Sequence, residues 1–256
     1  MEVHHSHHNN HKKNFKEYIT EFIMLFTAVS LGFLAENIRE HQIEMKRGND
    51  YLKELNTDLK NDSISLRNIS FQIKTQKEAA DSIYAMYLNG NWENRINELY
   101  FYYAIISLRS NWEPNDATWE QAISSGTLRY IDDNELKREL KAYYFLIKNM
   151  KNREARILIM MDNYFEFYRQ NHFGSPSITA NNDFLGVLDI INKSTKPTMP
   201  KFTANQKILN KDKFSFETFV NVVARLQGTR NLDLSSQIIK CIDLNKNLLK
   251  KLEESK

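Results

Sequence analysis

One cysteine, four prolines and seven glycines are all that 256 residues carry. Cys241 alone excludes an intrachain disulfide and any Cys-x-x-Cys metal or redox site. So few prolines and glycines leave few places to stop a helix, so long helices are expected. An excess of one charge is also missing. Lys and Arg number 35 against 32 Asp and Glu, a formal charge of +3. That balance is too even for a phosphate-backbone binder, and no nucleic-acid partner is expected. There is no Walker loop, dinucleotide fingerprint, His-Glu-x-x-His or Gly-x-Ser-x-Gly. Beyond the N-terminal tail and His41, His172 is the only histidine. A hydrolase triad or closed zinc site therefore has no residues to build it, and no cofactor is expected. Scattered Asp and Glu leave an enzyme formally open.

What the chain has is a single long apolar run. From Glu21 to Glu36 every intervening residue is apolar, small or a hydroxyl. Tyr18, Ile19 and Ile38 extend it to Tyr18–Ile38, about 31 Å as a helix, which matches a bilayer core. Its bulky members, from Phe22 to Leu34, favour insertion, and the two carboxylates fall near the interfaces, where charge costs least. The expected organisation is a polar tail over 1–16, a transmembrane helix over 17–39 and a helical domain over 40–256. At about 100° per residue, Glu21, Ala28, Gly32, Ala35 and Glu36 share one face, with Arg39 beside them. Ala28-x-x-x-Gly32 is a small-xxx-small pair that lets helices approach closely, so self-association or a partner membrane helix is expected there. The bland alternative is a monomeric anchor in the lipid bilayer. Glu21 or Glu36 as a proton relay is disfavoured, since neither lies deep in the span; Glu36 is more simply paired with Arg39.

The opening Met-Glu-Val-His-His-Ser-His-His, the basic Lys12-Lys13 and the run Glu21–His41 together resemble a family of uncharacterised single-pass membrane proteins of Bacteroidetes. The likeness covers residues 1–60, and Pro114–Arg129 resembles that family's second recurrent motif. The resemblance implies a bacterial inner-membrane anchor. It implies no activity and no catalytic residue.

No Ala-x-Ala cleavage site follows the run, so an uncleaved signal anchor is expected. Lys12, Lys13 and Lys16 precede it; Arg39, Lys46 and Arg47 follow. This near tie is read as N-terminus in the cytoplasm and domain in the periplasm. Three Asn-x-Ser/Thr matches are noise in a bacterial protein. In the tail, His4, His5, His7, His8 and His11 are candidate transition-metal ligands, since imidazole suits such ions. The competing reading is a flexible polar tail, because no carboxylate or cysteine fixes a geometry.

Past the span the fold class is all-α: the transmembrane helix continues into a long helix, over 40–88, that packs in an antiparallel helical bundle. Leu52, Leu55, Leu59, Leu66, Ile69, Ile73, Ala80 and Ile83 keep a 3-4 alternation, with Asp62 and Gln76 in two slots. That is a coiled-coil-like seam. It has two partners to choose from, a second copy or this chain's later helices, and the later helices need it more. Asn61-Asp62-Ser63 is a candidate kink. Asn89-Gly90-Asn91 ends the helix. The bundle is expected over 95–171, an irregular segment over 172–213 holding a short helix at Asn182–Ile191, and two C-terminal helices over 214–254 with a break at Gly228–Asn231. Cys241 reads as a buried small hydrophobe.

Two helix starts are predicted inside the bundle. Asn115 or Asp116 caps a short helix that ends at Gly126, and Asp132 with Glu135 has capping-box spacing. Trp112, Asp116, Trp119, Glu120 and Arg129, with Asp133 nearby, are the candidate ligand-binding set. Read functionally, they form a carboxylate-lined pocket for a cationic group or peptide, in a sensor or enzyme. Read structurally, they are caps, a surface pair and two core tryptophans. The function expected overall is membrane-anchored interaction or assembly without catalysis, with membership of a larger inner-membrane complex as an alternative.

Overall fold

In a computed structural model the protein is all-α, a long N-terminal apolar helix followed by a helical region packed against it. The described residues are 14–110, 112–173, 195–199, 201–202, 204–230 and 235–254. The helix predicted within Asn182–Ile191 lies outside them.

Helix α1 runs unbroken from Phe15 to Leu88, 74 residues, about 110 Å at 1.5 Å per residue. Its start has a capping box, Asn14 with Glu17, and Asn14 N donates to Glu17 Oε2 at 3.1 Å. Its end is the Asn89-Gly90-Asn91 turn, where Gly90 adopts φ +61. Asn61-Asp62-Ser63 does not break it. The local preference of those side chains for their own backbone loses because Asp62 is engaged by other helices.

From Gly48 onward α1 is the central column of a four-column bundle. A four-residue 3-10 turn, Trp92–Arg95, leads into α2, Ile96–Ile106. The chain then descends beside α1. Gln76 Nε2 donates to Leu108 O at 2.9 Å, and Asn115 N donates to Asp62 further down. Helix α3, Ala117–Ser125, and the 3-10 turn Thr127–Tyr130 complete this descent. Gly126 between them is left-handed, φ 70, as its position after a helix predicted. Helix α4, Asn134–Met160, climbs back. It continues through a π turn at Met161–Phe165, a short α segment at Glu166–Tyr168 and a second π turn at Arg169–Phe173. Helices α5, Phe216–Gly228, and α6, Ser236–Glu254, descend again. Gln227 Nε2 reaches Gln76 O at 3.2 Å, and Asn245 Nδ2 reaches Leu59 O at 2.8 Å. Up, down, up and down, the columns bury the seam of α1 inside its own chain, so the later helices are its partner.

Two predicted caps shift. The helix α4 cap is Asp133, one residue beyond Asp132. Its Oδ1 accepts from Glu135 N at 2.8 Å and Leu136 N at 3.0 Å. At α3 neither predicted side chain caps. Asp116 occupies the N-cap position without a side-chain bond there, its carboxylate accepting from Lys151 Nζ at 2.6 Å instead. Asn115 turns to Asp62.

The core follows from these faces. Leu55, Leu59, Leu66, Ile83 and Met86 of α1 meet Leu99 and Ile106 of α2, Leu140 and Tyr143 of α4, Phe219 and Val223 of α5 and Leu248 of α6, all under 1% exposed. At the far end Tyr103 stacks on Phe173, ring centres 4.1 Å apart, beside Phe165, Phe214 and Phe219. Two tyrosines of α2 have their hydroxyls satisfied: Tyr100 OH donates to Lys207 O and Tyr103 OH to Phe165 O.

Candidate functional site

Three regions carry the chemistry singled out by the sequence. The first is the apolar stretch of α1. It is long and apolar enough to cross a membrane, and among the described residues nothing buries it. Phe22, Phe26 and Phe33 are each more than 60% exposed. On the opposite side Ala28, Gly32 and Ala35 are exposed too, and no atom lies within 4 Å of a Cβ added at Gly32. The surface a second helix would need is therefore open. Arg39 Nε donates to Glu36 Oε2 at 2.9 Å, one turn along the helix. Glu21 is half-buried at the opposite end of this stretch.

The second region is Trp112 to Asp133. Trp112 and Trp119 are both buried, and Trp119 stacks on Tyr144 at 4.7 Å. Asp116 pairs with Lys151. Glu120 is exposed, and Arg129 binds the Tyr130 hydroxyl and lies 3.7 Å from Glu44 of α1. Asp133 is the cap of α4, and its hydrogen bonds from Leu136 and Glu135 hold its carboxyl below the usual range. No side-chain hydrogen bond, ion pair or ring contact joins any two of Trp112, Asp116, Trp119, Glu120 and Arg129. What unites them is their place along one descending column against α1.

The tail histidines His4, His5, His7, His8 and His11 lie outside the described residues. Among the described residues no group of three or more His, Cys, Asp or Glu is placed to hold a metal ion.

The third region was visible in the sequence only as a polar slot in the seam. Asp62 is 0% exposed. Its Oδ1 accepts from Asn115 N at 2.9 Å and Asn115 Nδ2 at 3.1 Å, and its Oδ2 accepts from Tyr143 OH at 2.8 Å. Asn245 Nδ2 approaches the same hydroxyl at 3.4 Å. Three columns thus meet at one carboxylate, and the fourth reaches it through the Tyr143 hydroxyl. Burial raises its pKa above the usual carboxylate range, and the hydrogen bonds from Asn115 and Tyr143 oppose that rise. Burial also raises Tyr143, with the Asp62 charge adding to it. Cys241 sits beside them, its thiol pushed by burial up to about 12, so it is not a thiolate nucleophile at neutral pH.

A second polar knot was also unread: Arg230, just past α5 and 3% exposed. Its guanidinium donates to Ile106 O at 2.9 Å and Leu108 O at 3.4 Å, closing the end of α2 where Gln72 and Gln76 also donate. Burial lowers its pKa to about 9, opposed by Glu154. Both knots satisfy buried backbone groups of the irregular link after α2, which is a packing role.

No protein-family model, no curated protein and no solved structure matches this chain. Its function is therefore read from these residues.

Proposed function

We propose that this protein is a single-pass anchor of the bacterial inner membrane whose helical bundle is a docking surface for assembly, and that it works without catalysis. One observation carries the reading. The apolar segment of α1 stands wholly outside the bundle, and the same unbroken helix then forms the bundle's central column. An exposed apolar surface of this extent marks a membrane or protein contact. A helix shared by anchor and bundle would fix the bundle's direction relative to the bilayer. With Gly48 the first buried position and Ile38 the last apolar residue of the span, nine residues of largely exposed helix lie between them, a stand-off of about 15 Å. The resemblance of residues 1–60 to single-pass proteins of Bacteroidetes supports the same placement. So does the lysine group ahead of the span, for an N-terminus in the cytoplasm and a bundle in the periplasm.

The test is topology. With alkaline phosphatase or green fluorescent protein fused at the C-terminus, the phosphatase fusion is expected to be active and the fluorescent fusion dark. The converse pattern would place the bundle in the cytoplasm. Recovery of the full chain in the soluble fraction after an alkaline wash of membranes would end the anchor reading itself.

A further inference from the structure

Between the π turn Met161–Phe165 and α5 lies a cleft of about 200 Å³. Its floor is Met160, Phe165, Val222 and Leu226. Asn221 and Arg225, one turn apart on α5 and both exposed, line it with polar donors. Three observations give the cleft a chemistry. Its floor is apolar, so the body of a ligand must be apolar. Its cation has no anion: the Arg225 guanidinium lies over the Tyr164 ring, 5.8 Å from its centre, and no carboxylate among the described residues pairs with it. That ring holds the planar fork at the rim while leaving its N–H groups for a carboxylate, whose two oxygens such a fork fits. Third, the wall opposite α5 is a π turn. Its i→i+5 spacing inserts one residue into α4, and such insertions recur at functional sites.

We infer that this cleft binds a small organic acid, an unbranched or singly branched aliphatic carboxylate, with the carboxylate on Arg225 and Asn221 and the chain on Met160, Val222 and Leu226. The volume decides the size. Drug-sized ligands fill about 300–1,000 Å³, so this cleft takes an acid of only a few carbons. The site belongs to the bundle alone and does not depend on the membrane reading.

The full chain in lipid nanodiscs, with empty nanodiscs as the blank, is titrated with hexanoate and with its neutral isostere hexanamide, followed by saturation-transfer NMR. Hexanoate is expected to saturate, and hexanamide to bind at least about tenfold more weakly, since a charge-assisted bidentate contact is lost. Arg225→Gln, at an exposed position, is expected to erase the difference between the two probes without changing the protein's melting. Val222→Phe, which fills the cleft, is expected to weaken both. Equal binding of hexanoate to wild type and Arg225→Gln would overturn the proposal. So would the absence of saturation above the blank. Saturable binding of a peptide ending in a leucine carboxylate, without hexanoate binding, would also overturn it and make the cleft a chain-end receptor.

Discussion

Asp62 sets the sharpest test at the scale of a single residue. It is a carboxylate with no cation, held by three hydrogen-bond donors inside the bundle. Its folded pKa is raised, so the folded protein binds its proton more tightly than the unfolded chain does. The sign follows: its favourable contribution is complete below the unfolded value of about 4 and is lost as pH rises through the raised folded value. Urea unfolding of the bundle should therefore fall in stability across that window more steeply in wild type than in Asp62→Asn, which cannot titrate. Parallel pH profiles for the two proteins would mean that the carboxyl is not buried as described. Tyr143→Phe asks about the same oxygen from the other side. Removing the hydroxyl leaves Oδ2 buried without its donor, at a cost of about 1–3 kcal/mol. The phenol itself cannot contribute to the pH profile, since burial raises its pKa away from the acid window.

At the scale of elements, one helix glycine fixes where the descending column touches α1. A Cβ built at Gly48 would sit 2.8 Å from Tyr130 O and 3.3 Å from Tyr130 C. The obstacle is backbone, which cannot rotate aside. Two effects compete in Gly48→Ala. Helix propensity favours alanine by about 1 kcal/mol, and overpacking against a fixed carbonyl costs about 1–3 kcal/mol. The clash is expected to win, loosening the turn Thr127–Tyr130 and speeding amide exchange at Ile131, whose N–H bonds to Leu128 O. A variant more stable than wild type, with exchange at Ile131 unchanged, would show that the turn is not seated on Gly48. Gly48 was silent in the sequence because a glycine inside a helix pattern gives no hint of which later segment needs the room. The seam was legible for the opposite reason: Leu52 to Ile83 repeat at the helix period, and burial follows period whatever the partner. Local chemistry misled where two residues could do one job. Asp132 and Asp133 both precede α4, and the backbone at Asp133, φ −69 and ψ 103, decides which oxygen faces the free N–H groups. It misled again at Asn61–Ser63, where hydrogen bonds from Asn115 and Tyr143, 53 and 81 residues away, override a local tendency to break. The candidate set Trp112 to Arg129 was read from proximity in sequence. In space its tryptophans serve the core and its charges look to α1 and α4.

For the whole molecule, the open question is what covers the exposed half of α1. A bilayer would cover the bulky face, Phe22, Phe26 and Phe33, because those side chains prefer hydrocarbon. It has no comparable preference for the face of Ala28, Gly32 and Ala35, where close backbone approach by a second helix gains packing. The two faces can be separated by substitution, since the bundle's core begins only at Gly48 and neither change reaches it. Gly32→Leu adds bulk where nothing lies within 4 Å in the single chain. It should leave insertion intact, since leucine favours the bilayer, and it should leave the bundle's melting unchanged. If the small face is an interface, the variant should still lower cross-linked oligomer in membranes several-fold. Phe26→Leu on the other face should change neither quantity. Equal loss of oligomer in both variants, or loss in neither, would mean that α1 is held by lipid alone. Assembly would then have to run through the bundle, and the exposed side of α4, with Phe145 at 64% and Ile159 at 59%, is the surface on which the same cross-linking would next be tried.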